Sequence, residues 1–203
     1  MDIGDIVKKV RGREPQPLEV EKKYAVLIPL IKNKDSWEII YELRAKNLKS
    51  QPGEISFPGG RVENGETYRE AAIRETVEEL NIRKENINII GELDYLVSHS
   101  NIAIHSFLGT INNIDLRNIE PNEDEVDHIF TVPLDFFINN EPNLYYIDIH
   151  PVINKDFPYS LIPNGENYNW KFNKYSVYFY NYNDYVIWGY TAKMTKSFID
   201  LIK

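Results

Sequence analysis

The chain contains no cysteine among its 203 residues. That absence excludes disulfides, thiolate-held metals and a cysteine nucleophile. No apolar run approaches the roughly 18–20 residues that a membrane-crossing helix requires. The first residues, MDIGDIVKKVRGREPQP, lack the apolar core of a secretory signal. These absences set the expectation of a cytoplasmic protein without a membrane partner. Basic charge is also short: 23 Lys and Arg stand against 31 Asp and Glu, for a net charge of −8. A nucleic-acid binder calls for a basic excess, so nucleic acid is not expected as a partner. A polyphosphate ligand stays open, because a bound divalent cation reverses the sign of the local field. The histidines are few, at positions 99, 105, 128 and 150, and show no metal-ligand spacing.

What is present reads as an ordinary globular chain. Hydrophobic residues make up 42% and charged residues 27%, and the length suits one domain spanning 1–203. Residues 2–11 carry Ile3, Ile6, Val7 and Val10 on one side of a short helix, closed by Glu14–Pro17. Tyr24–Ile31 is a continuous apolar run of strand length, and Trp37–Leu43 reads as its returning partner in a hairpin. Asn47–Phe57 reads as a loop, and 86–109 as short strands between polar turns. Val132–Phe137 reads as a strand end or short helix. Strands are expected again in 143–150 and 175–190, where the abundance of Tyr fits β-propensity. Thr191–Lys203 is expected as an amphipathic helix with Met194, Phe198 and Leu201 on one face. Strands mixed with one strong central helix predict a single α+β domain.

That central helix follows Gly65. Thr67-x-x-Glu70 has capping-box spacing, Ile73, Val77 and Leu80 form an apolar stripe, and Asn81 suits a left-handed C-terminal cap. Glu75, Glu78 and Glu79 fall on the other side, within one turn. Glu75 and Glu79 are like charges at i,i+4, destabilising by roughly 0.2–0.5 kcal/mol when solvated. Arg74 can pair with Glu70 or Glu78 and relieve part of the repulsion. Acidic clusters are commonly just solvated faces. Here the preceding Pro58-Gly59-Gly60 brings backbone close to the acids. Three carboxylates beside a free carbonyl make a hard oxygen donor set, which selects Mg²⁺ or Mn²⁺.

The stretch Gly60-x5-Glu66-x7-Arg74-Glu75-Thr76-x-Glu78-Glu79-x-Asn81-Ile82 resembles the Nudix box, G-x5-E-x7-R-E-U-x-E-E-x-G-U, where U is a bulky aliphatic. Thr76 and Asn81 depart from it without touching a carboxylate. The resemblance implies the Nudix fold, a mixed β-sheet sandwiched between helices, and hydrolysis of a nucleoside diphosphate linked to another moiety. It implies Glu75, Glu78 and Glu79 as metal ligands with the Gly60 carbonyl as a further one. Arg74 would orient the glutamates and Glu66 would support the box.

Residues 43–60, LRAKNLKSQPGEISFPGG, are similar to the pattern of coenzyme A pyrophosphatases, L-L-T-x-R-S-x2-L-R-x-H-x-G-x3-F-P-G-G. Arg44, Leu48, Gly53, Phe57, Pro58, Gly59 and Gly60 match, while Ala45 and Gln51 replace Ser and His. Residues 121–137 and 187–194 also look like later landmarks of that subfamily. This implies a small nucleotide substrate, coenzyme A or an acyl-coenzyme A, cleaved to 3′,5′-ADP and 4′-phosphopantetheine. Arg44, Gly59, Gly60 and Arg61 are the expected substrate contacts, with Lys46 and Lys49 as further cations. Bound cations polarise the phosphoryl group and lower the pKa of coordinated water. Glu75 or Glu125 is the candidate proton acceptor. Another nucleoside diphosphate derivative as substrate, such as ADP-ribose, a dinucleotide polyphosphate or a damaged nucleotide, and a non-catalytic nucleotide-binding module are the competing readings. A homodimer stays open.

Overall fold

The computed structural model describes residues 2–13 and 15–203. Met1 lies outside the described residues, and so does Glu14, part of the segment expected to close the first helix. That helix, α1 (Ile3–Val10), forms where the amphipathic spacing placed it, yet none of its residues is buried.

The expected hairpin is there. β1 (Lys22–Asn33) and β2 (Ser36–Arg44) pair antiparallel and meet at Asn33↔Ser36. Successive side chains of β1 alternate between two packed faces, Ala25, Leu27 and Ile31 on one and Ile28 and Leu30 on the other. A strand covered on both faces reads as an unbroken apolar run. The segment expected as loop contains the two-residue strand β3 (Ile55–Ser56), and β4 (Gly59–Arg61) follows at once. Then come α2 (Tyr68–Leu80), β5 (Ile87–Glu92), β6 (Leu96–Val97), β7 (Ile102–Ile111), β8 (Val126–Pro133) and α3 (Leu134–Asn139). β1 runs parallel to β7, from Lys22↔Ile102 to Ile31↔Ile111, and the sheet's other pairings are antiparallel. The sheet is therefore mixed. Three further strands, β9 (Asn143–Ile149), β10 (Asn173–Tyr182) and β11 (Tyr185–Trp188), form a second, antiparallel sheet ahead of α4 (Gly189–Ile202).

α2 covers one face of the main sheet, where Ala71, Ala72 and Leu80 pack on Ala25, Leu27, Ile40 and Phe107. The other face is covered by α3, α4 and the second sheet, through Phe137, Phe198, Ile199, Tyr180 and Ile187 on Ile28, Ile39 and Tyr41. The α+β arrangement of a mixed sheet between helices is the one expected. No helix among the described residues is long and apolar enough to cross a membrane.

Two helix faces differ from expectation. On α4, Leu201 is 71% exposed, while Thr191, Ala192, Met194, Thr195, Phe198 and Ile199 are buried. The threonines turn inward because their hydroxyls have partners there: Thr191 Oγ1 donates to the Ile55 carbonyl at 3.0 Å, and Thr195 Oγ1 lies 2.9 Å from Tyr41 Oη. On α2, Ile73 and Val77 are only half-buried, and the buried set is Ala71, Ala72, Thr76, Glu79 and Leu80. Two small alanines let the helix approach the sheet closely, and Thr76 satisfies its hydroxyl on the Ala72 carbonyl at 2.7 Å. Glu79 thus lies on the buried face, not on a solvated acidic one.

Candidate metal and catalytic site

The turn into α2 is built from two glycines that leave no free room for a Cβ. Val26 pairs with Gly59 and Ala25 with Gly60. A Cβ on Gly59, at φ 156°, would run into the Ala25 carbonyl and the Val26 backbone, and one on Gly60 would overlap the Glu75 carboxylate. The bend is thereby pressed against both the sheet and the helix.

α2 starts with the expected capping box: Glu70 N donates to Thr67 Oγ1 at 3.2 Å and Thr67 N to Glu70 Oε2 at 2.9 Å. It ends at Asn81 in the left-handed conformation, φ 51° and ψ 44°. Between them, Arg74 binds four groups. Its Nε and Nη2 donate to the two oxygens of Glu66 at 2.9 and 3.0 Å. Nη2 also reaches the Arg61 carbonyl at 3.1 Å, and Nη1 lies 2.9 Å from Glu75 Oε1 and 3.2 Å from Glu78 Oε2. The Glu66 carboxyl is held below its ordinary value, first by those Arg74 hydrogen bonds. The guanidinium is held firmly charged, chiefly by Glu66. Glu70, the alternative partner the spacing allowed, stays on the cap.

Glu79 is 3% exposed, and its Oε2 accepts from Gly59 N at 2.7 Å. Its carboxyl is pushed well above the ordinary range, first by burial and next by Glu42, with Glu75 adding to the effect. Glu42 is fully buried on β2, on the same face as Ile40 and so beneath α2. Ser56 Oγ donates to Glu42 Oε1 at 2.8 Å, while Glu42 Oε2 is buried without a hydrogen-bond partner. Its carboxyl too is raised, first by burial, with Glu125 and Glu75 contributing. Glu75, half-sheltered, is raised by burial against the pull of Arg74. The loop carrying Glu125 is tied in by Asn122 N to the Glu79 carbonyl and by Ala45 N to the Glu125 carbonyl, both at 2.9 Å.

Arg44 is half-buried, its Nε is buried without an acceptor, and its charge opposes those of Glu42 and Glu79. The side chains of Arg61, Lys46 and Lys49 are exposed. His105 is stacked between Tyr68 and Tyr95, with ring centroids at 3.6 and 4.7 Å, away from any metal-ligand grouping.

Sequence reasoning missed Glu42. The signal was in WEIIYEL: Glu38 and Glu42 interrupt an apolar strand at same-face spacing, and a charge inside a buried strand needs a reason. The donor chemistry around Gly59–Gly60 is all hard oxygen, and one buried oxygen lacks a partner, which fits a hard divalent cation. Among the described residues, no three acidic or histidine side chains converge as a ready-made cage. Glu75 and Glu78 rest on Arg74, and Glu79 on Gly59 N.

Acids are thus gathered at a glycine bend, and the charge of Arg44, whose Nε is buried without an acceptor, acts on two of them. Residues 21–147 match the NUDIX domain family. The chain belongs to the Nudix hydrolase family. It is 29% identical to Nudix hydrolase 3 of Caenorhabditis elegans over 180 residues, covering 88% of this chain and 72% of that protein. It is 31% identical over 125 residues to the mouse peroxisomal coenzyme A diphosphatase NUDT7, covering 61% of this chain and about half, 51%, of that one. The mouse mitochondrial coenzyme A diphosphatase NUDT8 is 26% identical over 180 residues, 88% and 77% of the two chains. Among solved structures, a Caenorhabditis elegans Ap4A hydrolase binary complex overlays with a TM-score of 0.47 at 26% identity, over 55% of this chain and 80% of that one. Hydrolases of this family are generally dependent on divalent metal ions.

Proposed function

We propose that residues 1–203 act as one Nudix domain that hydrolyses the diphosphate of coenzyme A or an acyl-coenzyme A. The products are 3′,5′-ADP and 4′-phosphopantetheine or its acyl form. The observation that carries the hydrolytic reading is the set of buried and half-buried carboxylates: Glu75 against Gly60, Glu79 on Gly59 N, and Glu42 on Ser56 three residues before. Support for coenzyme A comes from the pattern in residues 43–60 and from the names of the two mouse relatives. The cytoplasm remains the proposed compartment. The relatives' names point to peroxisomes and mitochondria and so do not fix one.

Glu75, Glu78, Glu79 and the Gly60 carbonyl would hold Mg²⁺ or Mn²⁺. Such an ion neutralises phosphate charge and acidifies bound water. Arg74 holds Glu75 and Glu78 together on one side of the helix, and Glu66 fixes Arg74 in turn. Arg44 offers its unpartnered Nε–H to a phosphate oxygen, a charge-assisted bond worth more than a neutral one. Glu75 or Glu125 accepts the proton as water oxygen bonds to phosphorus; the bridging P–O bond breaks and the leaving phosphate carries the electron pair away.

Mass spectrometry of products settles the substrate. Coenzyme A, acetyl-coenzyme A, ADP-ribose and Ap4A are each incubated with the chain and Mg²⁺ or Mn²⁺. Release of 3′,5′-ADP from coenzyme A at the highest kcat/KM is the expected result. Preferential cleavage of ADP-ribose or Ap4A overturns the coenzyme A assignment, and no cleavage of any of them leaves the binding module as the better reading.

A further inference from the structure

Glu42 and Glu79 clamp the same short stretch of chain from opposite sides. Ser56 Oγ donates to Glu42 Oε1 at 2.8 Å, and three residues on, Gly59 N donates to Glu79 Oε2 at 2.7 Å. Glu42 stands on the sheet, between Ser56 of β3 and Ile129 of β8, and its third side is the face that α2 covers. Its Oε2 is fully buried and has no hydrogen-bond partner. The charges close enough to act on it are those of Arg44, Glu125 and Glu75, and it acts in turn on Glu79. A buried carboxyl oxygen left without a partner among other acids is costly, and native structures rarely keep one without a role.

We propose that Glu42 is a further ligand to the divalent cation, contributed by the sheet from beneath α2. This rests on the reading of the box glutamates as cation ligands. The group that removes the penalty of Glu42 Oε2 must be small, positive and oxygen-seeking, and a hard divalent ion is all three. One ion shared by Glu42 and Glu79 would tie β2 to the C-terminal half of α2, across the Ser56–Gly59 segment. The ligand is a feature of this chain: in the pattern L-L-T-x-R-S the residue two before the arginine is threonine, and here it is Glu42.

The test is direct cation binding by the full chain. Mn²⁺ is titrated while the free ion is followed by electron paramagnetic resonance, and melting temperature is read with and without Mn²⁺. Glu42→Gln keeps the shape and removes the charge; Glu42→Thr restores the pattern residue and serves if Gln does not fold. Both variants are expected to bind Mn²⁺ at least about tenfold more weakly, since affinity follows the charge and number of oxygen ligands. Both should also lose most of the Mn²⁺-induced rise in melting temperature. Glu38→Gln, on the same strand face, is expected to bind Mn²⁺ as the unaltered chain does. Wild-type Mn²⁺ affinity and stoichiometry in the Glu42 variants overturn this proposal. If Glu79→Gln also binds Mn²⁺ undiminished, the box-cation reading itself falls; if Glu79→Gln is impaired and the Glu42 variants are not, only the role of Glu42 falls.

Discussion

Glu38 and Glu42 sit four residues apart on one face of one strand, both buried, and the fold treats them in opposite ways. Glu38 has both oxygens engaged: Oε1 accepts from Asn33 Nδ2 at 3.0 Å and Ser36 Oγ at 3.5 Å, and Oε2 from Thr131 Oγ1 at 2.5 Å. Glu42 has one oxygen on Ser56 and the other on nothing, with three more acids in electrical reach. A buried acid with all its bonds made stabilises the surrounding loops. A buried acid left short, among others equally crowded, stores unfavourable energy that a ligand can release. The same division runs through α2, where Glu70 is spent on the cap and Glu79 is buried within reach of the Glu42 charge.

The strongest break in that comparison is at Glu79. Glu79→Gln keeps the side chain's shape and its acceptor for Gly59 N but removes the charge. Turnover of the diphosphate substrate is expected to fall by about 10²–10³-fold, the scale of losing one preorganised electrostatic partner, while the cation-free melting temperature holds or rises. A variant that keeps wild-type kcat/KM would place the chemistry elsewhere. Next in size is Gly60→Ala. Its new methyl overlaps the Glu75 carboxylate, the far end of a flexible side chain, so the fold survives and Glu75 moves. A misplacement of that order costs about 10²-fold in rate. Gly59→Ala instead meets backbone, and circular dichroism should show loss of structure where Gly60→Ala shows none.

These contrasts also separate what was legible in the sequence from what was not. The hairpin, the capped ends of α2 and the terminal helix could be read because each rests on local spacing, apolar runs and cap residues within a few positions. The box acids were readable because they share one helix. Glu42 was not, since its meaning depends on β2 lying under α2, a contact between distant parts of the chain. The buried face of α2 was misjudged for a related reason: Ile73 and Val77 outrank Ala72 and Thr76 in hydrophobicity, but the close approach of helix to sheet selects the small residues.

The partnered member of the pair has its own signature. Glu38→Leu removes the acceptor from exposed Asn33 and half-buried Ser36 and Thr131, and each hydrogen bond lost costs about 0.5–1.5 kcal/mol. Stability in urea should fall by that order with Mn²⁺ affinity unchanged; a loss of Mn²⁺ binding would erase the distinction between the two glutamates. The unpartnered members show themselves through pH. Glu42, Glu75 and Glu79 have carboxyls raised above their ordinary value of 4.5, with burial the first cause for each. The folded, cation-free chain therefore holds protons that the unfolded chain has already released. Stability from these groups is fully present below that value and is lost as pH rises toward the raised ones. Glu66, Glu70 and Asp115 are shifted the other way and act below the window. The urea midpoint of the cation-free chain should fall between about pH 5 and pH 8, and Glu79→Gln should flatten that fall. A midpoint that climbs through the window would mean that the acids are not strained.

The smallest expected effect belongs to a group with every bond made, on the capping acid and not on the crowded ones. Thr67 is exposed, and its hydroxyl accepts from Glu70 N at 3.2 Å and donates to Glu70 Oε2 at 2.7 Å. Thr67→Ala removes the cap and costs about 1 kcal/mol, or about 2–4 °C in melting temperature for a chain of this size. The change enters at the first turn of α2, while Glu75 and Glu79 are held from the other direction, by Gly59, Gly60 and Arg74. kcat and KM should therefore stay at wild-type values below the transition. A drop in kcat matching that of Gly60→Ala would show that the cap and the acids move as one body, and that the division between structural and functional glutamates along this helix is not a division in its mechanics.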